Sequence, residues 1–261
     1  MTPAPPATYY VPGEVSSPKF GPAFARGCRG PLYPVTHGYL PGHGYAGFCT
    51  PLAYPLRDRA EAAGEDWYYG DHAFYRRGKY FRVARNARQW VPTADDLRRA
   101  SPDRFRALQI PHDGDWREHN AARTIVVCPN SPVYMAQFGL DAEQWVRDTV
   151  AAIAQVTDRP VLVRWKPQAS RRPIGQDLHA AWAVVVYNSA CALDALLVGL
   201  PVIVLCPWST FRGMGSGSLA DLDAPVRPDN ADRHRFFWAL AARQWTLDEL
   251  ADGTAWKVLT A

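Results

Sequence analysis

The sequence predicts an α/β fold in two lobes with a cleft between them, and three observations carry that expectation. The first is a set of apolar runs, Val161-Leu162-Val163, Ala183-Val184-Val185-Val186-Tyr187 and Val202-Ile203-Val204-Leu205, with the length and β-branched content of parallel strands buried on both faces. The second is what separates the last two runs. Asn188 to Val198 has helical character, Gly199 stops it and Pro201 opens the next strand, so the unit reads strand, helix, strand. The third is that the pattern recurs. Thr124–Cys128 reads as a strand, Pro129–Pro132 as a loop, and Asp141 to about Val156 as a helix with Trp145, Thr149, Ala152, Ile153 and Val156 on one face.

Taken in order, Thr8–Val11 is a short strand closed by Pro12-Gly13. The small-residue turn after it, followed by Ala23-Phe24-Ala25 and Gly27, has the loop-then-helix opening of a Rossmann-like domain, although it lacks the G-x-G-x-x-G spacing. Gly30 to Pro55 is crowded with Gly, Pro, His and Tyr and reads as two short strands with exposed loops. Leu56–Gly64 is an expected helix, and Trp67–His72 a strand running into a turn. Thr93–Leu108 reads as two helices broken at Ser101-Pro102, and polar, aperiodic Pro111–Ala122 as the linker, which sets lobes at residues 1–120 and 121–261. Beyond Pro207, Gly213–Gly217 is a flexible segment that either closes over a ligand or only joins elements; Ala231–Arg243 is a helix, and Thr246–Leu250 begins another.

The charges suggest the chemistry. Arg164, Lys166, Arg171 and Arg172 follow the carboxyl end of the 161–163 strand, the edge at which open α/β sheets bind ligands. Asn188 or Ser189 is the natural N-cap of the next helix, so backbone amides, a helix dipole and full positive charges would meet there as a phosphate site. The competing reading is a solvated loop and an ordinary capped helix. Asn130 and Ser131, after the 124–128 strand, are either further donor contacts or turn residues. On the N-terminal side Asp71 and His72 end an aromatic strand, where a general base would face a cleft; His43 and His37, on loops, are its rivals. Phe74–Trp90 interleaves Arg76, Arg77, Lys79, Arg82, Arg85 and Arg88 with five aromatic residues, which suits either a nucleic-acid groove or a surface hairpin.

Residues 185 to 203, Val-Val-Tyr-Asn-Ser-Ala-Cys-Ala-Leu-Asp-Ala-Leu-Leu-Val-Gly-Leu-Pro-Val-Ile, resemble the nucleotide-sugar-binding half of GT-B glycosyltransferases. The likeness is to the capsule polysaccharide synthesis type, with its S-x-x-x-x-E-A-x-x-x-G-x-P-V pattern, and extends from Thr124 to Pro207. Asp194 stands where the pattern has the Glu that meets the donor ribose, a shorter reach. The whole chain also resembles a group of phage proteins sharing Trp67-Tyr68-Tyr69-Gly70-Asp71-His72, Arg164-Trp165-Lys166-Pro167-Gln168 and the segment Gln244–Glu249. The resemblance implies a GT-B-like pair of Rossmann-like lobes, with terminal helices returning to the first. It implies transfer of a sugar from a nucleotide diphosphate donor, met at its ribose by Asp194; the residues read above then fall into place, Arg164, Lys166, Asn188 and Ser189 holding the diphosphate and Asp71 serving as the base. The phage likeness makes a hydroxymethylated pyrimidine base in DNA, held by Arg76, Arg77, Lys79, Arg82 and Arg85, the preferred acceptor over a saccharide.

Composition bounds these readings. With 261 residues, 48% hydrophobic, the chain can bury a substantial core, and its net charge of +4 permits a polyanionic partner without requiring one. Ten Trp and twelve Tyr supply faces on which sugars and bases stack, though most such rings belong to cores. Five cysteines with no C-x-x-C pair indicate buried thiols rather than disulfides or a zinc site. No Asp-x-Asp motif stands in a position to bind a metal ion, so cationic side chains are expected to do that work, with no cofactor beyond the donor. No signal-like or membrane-spanning stretch is visible, which suggests a cytoplasmic protein, in the host if phage-encoded. The rival from another class is a non-catalytic nucleotide-binding or DNA-binding protein.

Overall fold

The structure, a computed structural model, describes residues 3–118, 124–165 and 173–261. The chain divides into two units, the first made of residues 1–90 and 240–261, the second of residues 91–239. The division at Trp90 thus falls before the two short helices and not at the polar segment near residue 120.

The first unit opens with β1 (Thr8–Tyr10), α1 (Ser17–Cys28), β2 (Leu32–Pro34), β3 (Tyr45–Phe48), α2 (Tyr54–Ala62), β4 (Trp67–His72) and β5 (Phe81–Arg85). These strands form one sheet in the order β2-β1-β3-β4-β5, parallel except for β5, which runs back along β4. Period-two alternation covers both faces. Ala46, Phe48 and Tyr68 pack with Phe20, Phe24 and Cys28 of α1, while Tyr45, Trp67 and Tyr69 pack with Tyr9, Leu56 and Ala60 on the other side. Phe20, Phe24 and Cys28 are spaced four apart, the stripe that a helix lays on a sheet. Gly70 leaves room for the Phe20 ring, whose nearest carbon would stand 2.4 Å from an added Cβ.

The second unit contains α3 (Ala94–Arg99), α4 (Asp103–Leu108), β6 (Thr124–Cys128), α5 (Pro132–Ala136), α6 (Ala142–Ala154), β7 (Val161–Val163), α7 (Ile174–His179), β8 (Ala181–Val186), α8 (Cys191–Leu197) and β9 (Val202–Val204). Its sheet, β7-β6-β8-β9, is wholly parallel. Ile125, Val127, Ala183, Val185 and Ile203 face Ile153 of α6, and all of these are fully buried. Strand β7 departs from the expectation of burial on both faces: it lies at the sheet edge and leaves Leu162 37% exposed. The last helices are α9 (Asn230–Ala242), within which the chain passes from the second unit to the first, α10 (Leu247–Ala251) and α11 (Thr254–Thr260). Trp245, Leu250 and Ala255 complete the α1 side of the first unit's core.

Three expectations change in physical detail. The described part of the segment read as a linker, residues 111–118, is bound down inside the second unit: Asp113 and Arg117 donate backbone N–H to the carbonyls of Leu197 and Gly199, at 2.7 and 2.9 Å. Buried Arg233 reaches the carbonyls of Asp113 and Gly114. The Gly213–Gly217 segment is no loose lid. Ser216 exchanges backbone hydrogen bonds with Val202 and Val204, sealing the outer edge of β9, and Met214 is buried. The residues 74–90 do not form a hairpin by themselves; β5 pairs with β4, and Phe74, Tyr75 and Phe81 are core residues. Among the described residues no helix is long and apolar enough to cross a membrane.

Candidate functional site

In the second unit the parallel sheet sets the carboxyl ends of all four strands at one edge. Asn130, two residues past β6, accepts the backbone N–H of Asn188 on its Oδ1 at 2.9 Å, and Asn188 Nδ2 donates to the Tyr134 hydroxyl at 2.6 Å. Two loops are thereby clamped together. Asn188 Oδ1 remains a buried acceptor with no hydrogen bond among the described residues, a position that a donor group of a ligand would satisfy. Ser131 caps α5 by accepting from Tyr134 N–H at 3.4 Å. Half-buried rings of Tyr134, Phe138, Tyr187 and Trp208 gather beside this clamp, with Phe138 and Trp208 centroids 4.8 Å apart.

The expected anion site is altered at two points. The N-cap of α8 is Ala190, with no side-chain capping bond, and the helix is only seven residues long. Ser189 instead accepts from Cys191 N–H at 3.4 Å, so its hydroxyl, rather than a strong helix dipole, is what the site presents. Arg164 continues β7 through a backbone bond to Val127, and its guanidinium is ion-paired with Asp177 of α7. Their side chains are 11% and 4% exposed. Asp177 went unnoticed in the sequence because it sits in a six-residue helix too short to show a period. Lys166, with Arg171 and Arg172, lies outside the described residues. Asp194 stands half-buried in the first turn of α8, its charge felt by the nearby thiols of Cys128 and Cys191. The Cys128 thiol and the Ser189 hydroxyl, by hydrogen bonding, hold the Cys191 thiol below its ordinary pKa against the effect of burial, while Cys128 moves up. All five cysteines are free thiols.

In the first unit the strand order turns at β1, with β2 on one side and β3 on the other, and the carboxyl ends of β1 and β3 at such a switch point are where open α/β sheets bind ligands. Glu14, on the loop after β1, is held there by the Thr50 hydroxyl, which donates to Glu14 Oε1 from the loop after β3. Sequence reading missed Glu14 because the switch point depends on strand order, which no local pattern reveals. Asp71 and His72 do end β4 at the same edge. Asp71, however, is fully engaged. Its Oδ2 pairs with Arg82, and its Oδ1 accepts from the Cys49 thiol at 3.0 Å and from His72 N–H at 2.7 Å. Burial would raise its pKa, but the Arg82 charge and these hydrogen bonds outweigh burial and hold the carboxyl below its usual range. A depressed carboxyl is a weak proton acceptor at neutral pH. His72 is exposed, its ring edge-on to Phe48 at 5.1 Å. His43 precedes β3 and so lies at the opposite, amino edge of the sheet; His37 follows β2, its ring 4.3 Å from Tyr33.

The basic aromatic segment also proves to be tied in. Arg82 bonds Gln89 and Asp71, Arg85 pairs with Asp66 at 2.8 Å, and Arg88 reaches Glu61 and Asp58. Arg76, Arg77 and Lys79 are exposed. Among the described residues no three His, Cys, Asp or Glu side chains converge as a metal-ligand set.

No family model matches the chain. No curated protein sequence matches it either. A solved structure similar to it is KpsC of Thermosulfurimonas dismutans, a beta Kdo 2,4 transferase. The two share 12% identity with a TM-score of 0.54 over 94% of this chain and 92% of that one, a likeness of fold from end to end.

Proposed function

We propose that the chain is a glycosyltransferase that takes a sugar from a nucleotide diphosphate donor and passes it to a saccharide hydroxyl. The observation that carries this reading is the end-to-end fold likeness to a sugar transferase. It is supported by the polar set of Asn130, Asn188, Ser189 and Arg164 at one carboxyl edge of a parallel sheet. In this reading the second unit holds the donor. Asn188 and Ser189 meet its polar groups, and the Arg164 side, with Lys166, stabilises charge developing on the departing diphosphate without a metal ion. Glu14 at the switch point of the first unit takes the acceptor proton, and Asp71 holds Arg82 in place.

The acceptor we favour is a saccharide rather than a hydroxymethylated base in DNA, because the rings of Phe74, Tyr75 and Phe81 are buried and Arg82, Arg85 and Arg88 are engaged with carboxylates. The test is a panel of nucleotide sugars scored for release of free nucleotide, with saccharides in one arm and hydroxymethylated DNA in the other. Saccharide-stimulated release that persists in a chelator is expected. Release stimulated by DNA and suppressed by salt would restore the nucleic-acid acceptor, and no turnover of any donor would sink the transferase reading. General-base catalysis contributes roughly a hundredfold to ten-thousandfold, so Glu14→Gln should lose about that factor in transfer while donor binding is kept. If Asp71→Asn or His72→Ala shows that loss and Glu14→Gln does not, the base is misassigned.

A further inference from the structure

We propose that Cys191 and Cys128, which meet at the carboxyl edge of the second unit's sheet, are a peroxide-responsive thiol pair, and that their oxidation to a disulfide closes this edge to a nucleotide. Cys128 ends β6 and Cys191 opens α8. Parallel pairing of β6 with β8 sets Cys128 level with Val186, and the turn through residues 187–190 brings Cys191 within hydrogen-bonding reach of it. Exposure divides the roles. Cys191 is half-buried and open to a small oxidant, whereas Cys128 is fully buried beside it and placed to resolve the product.

The surroundings single out Cys191 among the five thiols. Cys128 and the Ser189 hydroxyl donate hydrogen bonds to its sulfur, and these outweigh burial and the Asp194 charge to hold it below its ordinary pKa. The other four move up: Cys128 as the donor to Cys191 and by burial, Cys28 by burial, Cys49 by burial and the Asp71 charge, and Cys206 by burial to about 11. The thiolate is the nucleophile, so Cys191 is the group that attacks a peroxide near neutral pH. Its sulfur bonds to one peroxide oxygen as the O–O bond breaks, and the departing hydroxide takes up the proton that the thiol released, which leaves a sulfenic acid and water. Cys128 then gives up its proton as its sulfur attacks that of Cys191; the S–S bond forms, the S–O bond breaks, and a second water leaves. Both sulfurs are oxidised and one peroxide is reduced.

The bridge would join the same two loops that the Asn130–Asn188 hydrogen bond clamps, since Asn130 follows Cys128 and Ser189 precedes Cys191. An S–S bond is far shorter than a hydrogen bond between thiols, so the first turn of α8 must shift toward β6 and carry Ser189 with it. That this shift expels a nucleotide rests on the proposed donor site; that the thiols form a disulfide does not.

The experiment treats the reduced full chain with a small excess of hydrogen peroxide, blocks the remaining thiols with N-ethylmaleimide and maps the digest by mass spectrometry. The peptides of Cys128 and Cys191 should appear joined, with two of the five thiols lost and both restored by dithiothreitol. In Cys128→Ser the reaction should stop at the sulfenic acid, trapped on Cys191 by dimedone. Should that variant fail to fold, the map of the parent chain decides. Oxidation of Cys49 or Cys206 ahead of Cys191, sulfinic acid on Cys191 with no joined peptide in the parent, or no dimedone adduct in a folded variant would each overturn the pair. Calorimetry with uridine and guanosine diphosphates then compares the two states. Binding by the reduced chain should weaken severalfold on oxidation and return with dithiothreitol, and equal binding by both states would overturn the closure. A chain that forms the disulfide yet binds neither nucleotide in either state would keep the thiol pair and remove the donor reading.

Discussion

Arg164 shows how a residue can be legible in kind and illegible in role. Its place after a buried strand was readable from the apolar run, but its partner Asp177 lies 13 residues on, in a helix without period, so the pairing had no local signature. Breaking a buried ion pair costs about 3–5 kcal/mol, because the remaining charge is stranded. Arg164→Ala should therefore lower the urea midpoint sharply, and a loss of nucleotide binding in that variant is to be read together with its stability. Ser189→Ala removes a single neutral hydroxyl, worth roughly 0.5–1.5 kcal/mol. It should weaken nucleotide binding severalfold at unchanged stability, as calorimetry and melting on the same sample would show. Asp71 makes a prediction with a definite sign. Its folded pKa lies below the unfolded value of about 3.9, so its contribution to stability is full above about pH 4 and is lost as pH falls through the folded pKa. Urea midpoints measured down that range should fall, and the Asp71→Asn Arg82→Gln double variant should show a shallower acid slope.

At the scale of elements, local chemistry was most readable where it was redundant. Trp67–His72 was marked by an aromatic run and flanking turns, and the observed strand has those bounds. Thr93 forms a capping box with Asp96, and Ser101-Pro102 separates α3 from α4 as expected. The helices that escaped, α5 and α7, are five and six residues long and owe their existence to tertiary neighbours rather than to propensity. Close packing between elements is equally hidden from a linear reading. Gly27 of α1 meets the α10 backbone so closely that an added Cβ would stand 1.8 Å from the Leu250 carbonyl oxygen. Gly27→Ala keeps helix propensity and even improves it, yet it should destabilise the chain by about 1–3 kcal/mol through overpacking. A denaturant midpoint equal to or above the parent's would show that α1 and α10 do not pack at this distance.

For the whole molecule, the parallel sheet of the second unit could be read from apolar runs, whereas the division at Trp90 could not, because it depends on which long-range contacts form. Polar Pro111–Arg117 resembles a linker by composition and is nevertheless stitched to Leu197 and Gly199. The first unit is discontinuous: Trp245 and Phe81 exchange backbone hydrogen bonds at 2.7 and 2.8 Å, and Trp245, Leu250 and Ala255 sit in its core. Removing residues 240–261 should leave the 1–90 portion open to protease while a fragment beginning near residue 91 resists. Equal protection of both portions would contradict the division.

That discontinuity has a bearing on synthesis. A ribosome releases residues 91–239 as one continuous stretch, while the core of the first unit stays incomplete, with Phe20, Phe24 and Phe81 awaiting Trp245 and Leu250. Domains fold as units as they emerge, so the second unit matures ahead of the one that precedes it in the chain. The aromatic surface of α1 is then what a nascent-chain chaperone would have to shield.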